Sequence, residues 1–349
     1  MLANAALPWL DEPLKQALRA QRGHALLVHG AEGAGQLPFA LALARAWLCE
    51  TPAADREGGL ACGHCGSCHL VQADQVHPDL CVLLPETQHL ELGWWPKDNE
   101  RDKIDAGKRK PSAWIGIEPV RSAIEFASQT RSRAQPKVIV IHPAERMQEI
   151  AASALLKLLE EPQGGLRLVL ASADTAALLP TVRSRCHALA LPAPEPVLAA
   201  QWLRATGLAD ADLLLAASGG QPLAALARQA QGLDGALWRH LPSLVAAGDA
   251  SPLAKLPLPL AIECLQKFCH DAMAVAAGAA PRYFPAGSVA GSGARLRALA
   301  AWGQGLARAA RHAGHPWNAP LLLESLVAQG RQAMAQVRAG ETDSVHSRR

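Results

Sequence analysis

Residues 24–49, HALLVHGAEGAGQLPFALALARAWLC, constrain this chain more than any other stretch. An apolar run, a glycine loop and a helical run follow one another. That is the setting of the phosphate-cradling loop G-x-x-x-x-G-K-[S/T]. Gly30 and Gly35 keep its spacing, with Gly33 between them. The lysine position holds Gln36 and the hydroxyl position holds Leu37. A strand that feeds a helix through such a turn belongs to a βα unit, and a βα unit needs a sheet to lie on.

The rest of that sheet is legible further along. DLCVL (79–83), KVIVI (137–141), LRLVLAS (166–172) and HALAL (187–191) are short apolar runs separated by helical patterns. KVIVI is β-branched without interruption after its lysine, the mark of a buried parallel strand. GIEPVRSAIEFASQT (116–130) and the run from Met147 to Leu158 read as helices. On the second, Met147, Ile150, Ala151, Ala154, Leu155 and Leu158 are expected on one buried face. The expected fold class is α/β, with a parallel sheet covered on both faces.

LPAPEP (191–196) reads as a linker, and no convincing strand follows it. Two or three short helices are expected over 196–230, and a separate helical region from about 235. The polar segment 85–111, PETQHLELGWWPKDNERDKIDAGKRKP, is expected to be a long exposed insertion. Its Trp94-Trp95 pair is a candidate partner contact and its basic KRK end a weaker candidate for DNA.

Composition narrows the function classes. Net charge is only +3, too weak to argue for nucleic acid on charge alone. No apolar run reaches the roughly 18 residues of a membrane span, and the start lacks the basic and apolar regions of a secretory signal. A cytoplasmic location without membrane partners is expected. In that compartment CGHCGSC reads as a metal site rather than a disulfide framework. Cys62, Cys65 and Cys68 stand at successive C-x2-C spacings, which leaves one ligand to find. Cys49, at the end of the helix after the glycine loop, leads over His64, His69 and Cys81. Four cysteines would make a closed, structural zinc site. Cys264 and Cys269 are expected to be buried thiols.

An active nucleotide loop also needs an acidic residue after a buried strand, to hold Mg2+. After KVIVI the pair falls on His142-Pro143. The lysine, the hydroxyl and the acidic pair are missing together. That argues against hydrolysis, and tight ATP binding is not expected.

HALLVHG-AEGAGQ, CGHCGSC, HPDL, KVIVIHPAERM, ASALLKLLEEP and TVRSRC occur in this order. Together they resemble the delta-prime subunit family of bacterial DNA polymerase III clamp loaders, from about residue 8 to 190 and more loosely to PWNAPLLLESL. The resemblance implies an AAA+ domain over 1–192 with a zinc knuckle (49–68) and the inserted segment 85–111. It further implies a helical lid over 193–234, an all-α collar over 235–337 and a disordered tail over 338–349. Gly219, Gly220 and Pro222 resemble the turn at the start of a lid helix, without the usual arginine. The insertion departs from the family pattern.

The implied function is that of a non-hydrolysing stator, without intrinsic catalysis, within a DNA-directed DNA polymerase holoenzyme. Its partners would be gamma/tau and delta subunits in a ring, with the sliding clamp and primer-template DNA reached through the complex. Ser184-Arg185-Cys186 would present Arg185 to ATP on a neighbouring subunit, where a fixed cation meets the developing phosphoryl charge. Arg183 is the other cation of that turn. The alternative is an active gamma-type ATPase with a divergent loop.

Overall fold

The computed structural model describes residues 7–20, 23–72, 77–94, 99–162, 164–289, 296–315 and 317–335. The chain divides into two compact units, with the boundary between Ala193 and Pro194.

The first unit runs α1 (Asp11–Ala20), β1 (Ala25–His29), α2 (Gln36–Leu48), α3 (Gly66–Gln72), β2 (Leu80–Leu83), α4 (Glu86–Leu92) and α5 (Asn99–Asp105). It continues with α6 (Ile117–Ser128), β3 (Val138–Ile141), α7 (Glu149–Glu160), β4 (Arg167–Ser172), α8 (Pro180–Arg183) and β5 (His187–Ala190). The strands form one five-stranded sheet in the order β2-β3-β4-β1-β5. Every pairing is parallel; Val28 lies opposite Ala171 on one side and Leu189 on the other. The α/β class is as expected.

Strand position follows composition. Val138, Ile139, Val140 and Ile141 are all fully buried, which suits β-branched side chains covered on both faces. β5 lies at the sheet edge and stays largely exposed. Parallel strands put all their carboxyl ends at one edge, where α/β sheets hold ligands. Here that edge carries His29-Gly30, His142-Pro143 and Ser172.

Two expectations are corrected. Ile150 is 64% exposed, while Ala151 and Leu155 are fully buried. The buried stripe of α7 runs through Ala151, Leu155 and Leu159, and Ile150 lies about 100° around the helix from Ala151. The segment 85–111 is not simply a loop: it carries α4 and α5. Gly93, with φ 71°, closes α4 by accepting the left-handed conformation at its end. Arg101 pairs with Asp105 one turn on in α5. Glu86 grips Arg109 through two hydrogen bonds of 2.6 and 3.0 Å and takes the Ser112 amide at 2.7 Å, so the excursion is closed at its base. Arg109 of the KRK end is thereby engaged, and Trp95 lies outside the described residues.

The second unit contains α9 (Pro196–Ala205), α10 (Ala211–Ala217), α11 (Pro222–Ala230), α12 (Gly235–Ala247), α13 (Leu258–Ala276), α14 (Leu296–Arg311) and α15 (Ala319–Ala335). No strand occurs among its described residues. One apolar cluster runs from Ala199 to Ala333 and includes Cys264 and Cys269. Trp238 stacks on Phe284 at 4.3 Å between centroids and donates to the Tyr283 carbonyl at 3.2 Å. The fully buried Asp271 carboxylate accepts from the amides of Arg282, Tyr283 and Phe284, which fixes that turn against the core. Gly219 and Gly220, at φ 66° and 84°, make the turn before Pro222 opens α11. The tail over 338–349 lies outside the described residues. Among the described residues no helix is long and apolar enough to cross a membrane.

Candidate functional site

The glycine loop keeps its shape. Gly33 and Gly35 have φ of 84° and 105°, a region that glycine enters without steric cost. Gly35 precedes the first turn of α2, and its carbonyl accepts from the Phe39 amide at 2.9 Å. Trp9, on the short turn Pro8–Leu10, donates to the Ala34 carbonyl at 3.1 Å and braces the loop from behind.

Gln36 does more than leave out a charge. Its side chain is 4% exposed, and Nε2 donates to the carbonyls of Gly30 and Ala31, both at 2.8 Å. A lysine in a working loop extends a cation toward β/γ-phosphates. Here the amide folds back and ties the loop to itself. Leu37 is 9% exposed and supplies no hydroxyl for a metal.

The position of the missing acidic pair is equally altered. The His142 amide donates to the Leu83 carbonyl at 3.0 Å, which continues the β2–β3 ladder. Burial pushes the His142 imidazole down to about 4, so it is neutral near pH 7. The peptide bond into Pro143 is cis. Glu145, the nearest carboxylate along the chain, accepts from the Ala173 amide at 3.0 Å through Oε1. His142 Nδ1, Glu145 Oε2 and Ser172 Oγ are buried without hydrogen-bond partners.

The thiol cluster is assembled as the spacing predicts. The sulfurs of Cys49, Cys62, Cys65 and Cys68 lie within 4.8 Å of one another. Cys62 and Cys68 are 3.9 Å apart, as are Cys65 and Cys49. A tetrahedron with metal–sulfur bonds of about 2.3 Å puts its sulfurs about 3.8 Å apart, so these four can hold one metal ion. Backbone amides of Glu50, Cys62, Cys65 and Cys68 approach the sulfurs at 3.4–3.5 Å, the donors a set of thiolates needs. The Thr51 hydroxyl and the His64 amide hold the Cys62 thiol down to about 5. Burial pushes Cys68 up to about 12. His64 turns away and bonds the Cys62 carbonyl at 2.9 Å through Nδ1.

A polar circuit ties this knuckle to the sheet, and sequence reasoning missed it although HPDL marks half of it. Glu50 Oε1 accepts from the Ser67 hydroxyl at 2.8 Å and the Ser67 amide at 3.0 Å. Ser67 Oγ lies 3.0 Å from His77 Nε2, and the Asp79 amide donates to His77 Nδ1 at 3.0 Å. The protonated nitrogen of His77 is therefore Nε2. This excludes a nucleophile–base relation with Ser67, which needs a lone pair facing the hydroxyl. The Asp79 carboxylate takes the amides of Ser132 and Arg133, and Arg133 returns to Glu50 as an ion pair.

Arg185 stands on the turn after α8. Its Nε donates to Glu160 Oε1 at 2.7 Å, and Nη1 donates to the Thr181 carbonyl at 2.9 Å. The Arg185 side chain is 35% exposed and that of Glu160 50%. Arg183 donates to the Thr175 carbonyl at 3.3 Å. Thus the C-terminal glutamate of ALLKLLE and the arginine of SRC meet, while the glycine loop and the thiol cluster lie at opposite ends of α2.

Comparison with known proteins agrees with these local features. A family model described as DNA polymerase III, delta subunit matches residues 8–195. The DNA polymerase III subunit delta' of Pseudomonas aeruginosa is 37% identical over 272 residues, covering 71% of this chain and 73% of that protein. The Escherichia coli protein of the same name is 35% identical over 227 residues, 63% of this chain and 60% of its own length. A DNA polymerase III subunit gamma/tau of Mycobacterium tuberculosis is 28% identical over 246 residues, 68% of this chain and 37% of that protein. The match begins at the turn that braces the glycine loop and ends just past β5, so it takes in the loop, the thiol cluster and the Ser-Arg-Cys turn, and this chain belongs to the delta-prime family of DNA polymerase III subunits.

Proposed function

We propose that the chain is a non-hydrolysing stator of the DNA polymerase III clamp loader. It would support ATP-driven loading of the sliding clamp onto primed DNA. The observation that carries this reading is Gln36, whose amide occupies the loop's own carbonyls where a phosphate-binding lysine would stand. The neutral His142 beside Pro143 supports it, because neither replaces a carboxylate on Mg2+.

In this reading Arg185 acts in trans on ATP held by a neighbouring gamma/tau subunit. The turn after α8 keeps its guanidinium at the surface, and arginine keeps its charge while offering a planar fork to phosphate oxygens. The ion held by Cys49, Cys62, Cys65 and Cys68 is zinc, in a closed structural site with no position open for catalysis. Residues 193–234 serve as a lid and 235–337 as a collar that joins gamma/tau and delta subunits in a ring. The protein works in the cytoplasm.

The test is a reconstituted clamp-loader complex with Arg185→Ala. The expected result is assembly intact, with the DNA- and clamp-stimulated ATPase reduced at least tenfold, against the roughly 10³- to 10⁵-fold that an arginine finger supplies at the one site it serves. Full ATPase in that complex removes the role of Arg185. ATP turnover by the isolated chain would instead favour an active gamma-type subunit.

A further inference from the structure

A concavity lies at the amino ends of the strands, away from the glycine loop. It has a volume of about 540 Å³, within the range of small-molecule sites. Arg19 of α1, Trp47 of α2, Arg56 and Gly58 of the segment leading to the knuckle, and Arg167 at the start of β4 line it. None of the described residues lining it is acidic.

Arg56 and Arg167 are held in place without a carboxylate among the described residues, and Arg19 is exposed at the rim. Arg56 Nη1 donates to the carbonyls of Ala46 and Leu60 at 2.9 and 3.1 Å, and Nε to that of Pro52 at 3.3 Å. These neutral acceptors fix the guanidinium and leave its charge uncompensated. The Arg167 guanidinium lies over the Trp47 ring, 4.8 Å from the centroid, and is partly buried. Burial alone lowers its pKa, with no anion acting against it. The nearby Glu57 is committed to Lys15 at 3.0 Å. The wall stays thin because Gly58 has φ 58° and a Cβ there would stand 2.7 Å from Lys15 Cγ.

Partly dehydrated cations without a counter-charge are costly to a fold and favourable to an anionic ligand. Arginine forks match phosphate oxygens in pairs. Trp47, Leu18 and Pro136 add an apolar wall suited to a planar base or a sugar. We propose that this cavity binds a nucleotide phosphate, either as a free nucleotide or as the end of a nucleic-acid strand. The site is separate from the vestigial glycine loop and goes beyond the stator reading. It stands whether or not Arg185 acts in trans.

The test titrates the full chain with inorganic pyrophosphate, deoxyadenosine monophosphate, and a short single-stranded DNA with and without a 5′ phosphate. Saturable binding of the phosphate-bearing probes is expected, weakened by salt and lost by roughly tenfold or more in Arg167→Gln and in Arg19→Gln. Arg19→Gln, on an exposed helix position, keeps the test sound if Arg167→Gln fails to fold. Loss in a variant whose circular dichroism and Tm match the parent assigns binding to this cavity, because the glycine loop lies at the opposite ends of the strands. Preference for the monophosphate identifies a free nucleotide as the source, and preference for the 5′-phosphorylated strand identifies a nucleic-acid end; both support the proposal. No saturable binding, binding unchanged in both variants, or tighter binding of an acidic peptide of equal charge overturns it.

Discussion

Glu160 holds Arg185: the carboxylate at the end of α7 receives the guanidinium through Nε at 2.7 Å and Nη2 at 2.5 Å. The two residues are 25 positions apart and join the LEEP and SRC segments. Both side chains are more than a third exposed or close to it, so the pair adds little to stability. Its consequence is orientation. Three of the arginine's nitrogens are engaged within its own unit, on Glu160, Thr181 and Ser184.

A double-mutant cycle measures that orientation. In the reconstituted complex, Glu160→Ala is expected to lower the partner's ATPase by less than Arg185→Ala does. The double variant is expected to match Arg185→Ala alone, because a positioning carboxylate has nothing left to position. Additive losses would show that Glu160 acts independently of Arg185.

Restoring the loop's letters is not expected to restore hydrolysis. Gln36→Lys with Leu37→Thr supplies a cation and a hydroxyl, yet His142-Pro143 still offers Mg2+ no carboxylate. The loop also loses the two internal hydrogen bonds of Gln36. Nucleotide titration of the isolated double variant should show tighter ATP binding than the parent without turnover. Turnover at the rate of an intact gamma-type subunit would show that the acidic pair is dispensable here.

Removing one sulfur should empty the metal centre. The purified parent is expected to carry a single equivalent of zinc, and Cys49→Ser, like Cys62→Ser, to lose it and to lower Tm by several degrees, about 2–4 °C per kcal/mol for a unit of this size. Ser67 and Glu50 adjoin ligands and belong to the circuit through His77 and Asp79, so loosening should reach the loop at 132–133. Hydrogen exchange there should rise in the zinc-free variant and stay unchanged in Cys81→Ser.

What could be read from the sequence was local. Cys49 leads the candidates for a fourth ligand because a tetrahedral ion needs one more donor and a helix end lies within reach, and its sulfur does join the other three. β3 is legible because a strand buried on both faces reads as an unbroken β-branched run, and the other strands because they are short apolar runs between helical patterns. Ile150 was misplaced because a 3.6-residue period fixes a stripe and not its exact edges. The two helices within 85–111 were hidden by charge, since their closure depends on Glu86 and Arg109, 23 positions apart. The inward turn of Gln36 was hidden too. A missing lysine is visible as a letter, but where its replacement points is decided by the carbonyls of Gly30 and Ala31.

His142 should make stability depend on pH. Its ordinary pKa of about 6.5 holds in the unfolded chain, whereas burial lowers it to about 4 in the folded protein. Below pH 6.5 the unfolded state therefore binds a proton that the folded state refuses. The contribution is fully present above pH 6.5, falls as the pH drops, and is gone below about 4. The window spans about 2.5 pKa units, or up to about 3 kcal/mol. Glu145, which faces this imidazole, works in the opposite direction and is already counted in the net shift. Urea unfolding of the parent and of His142→Asn between pH 7 and pH 4 checks this. The parent should lose stability more steeply across the window, and parallel curves would show that His142 is not the group responsible.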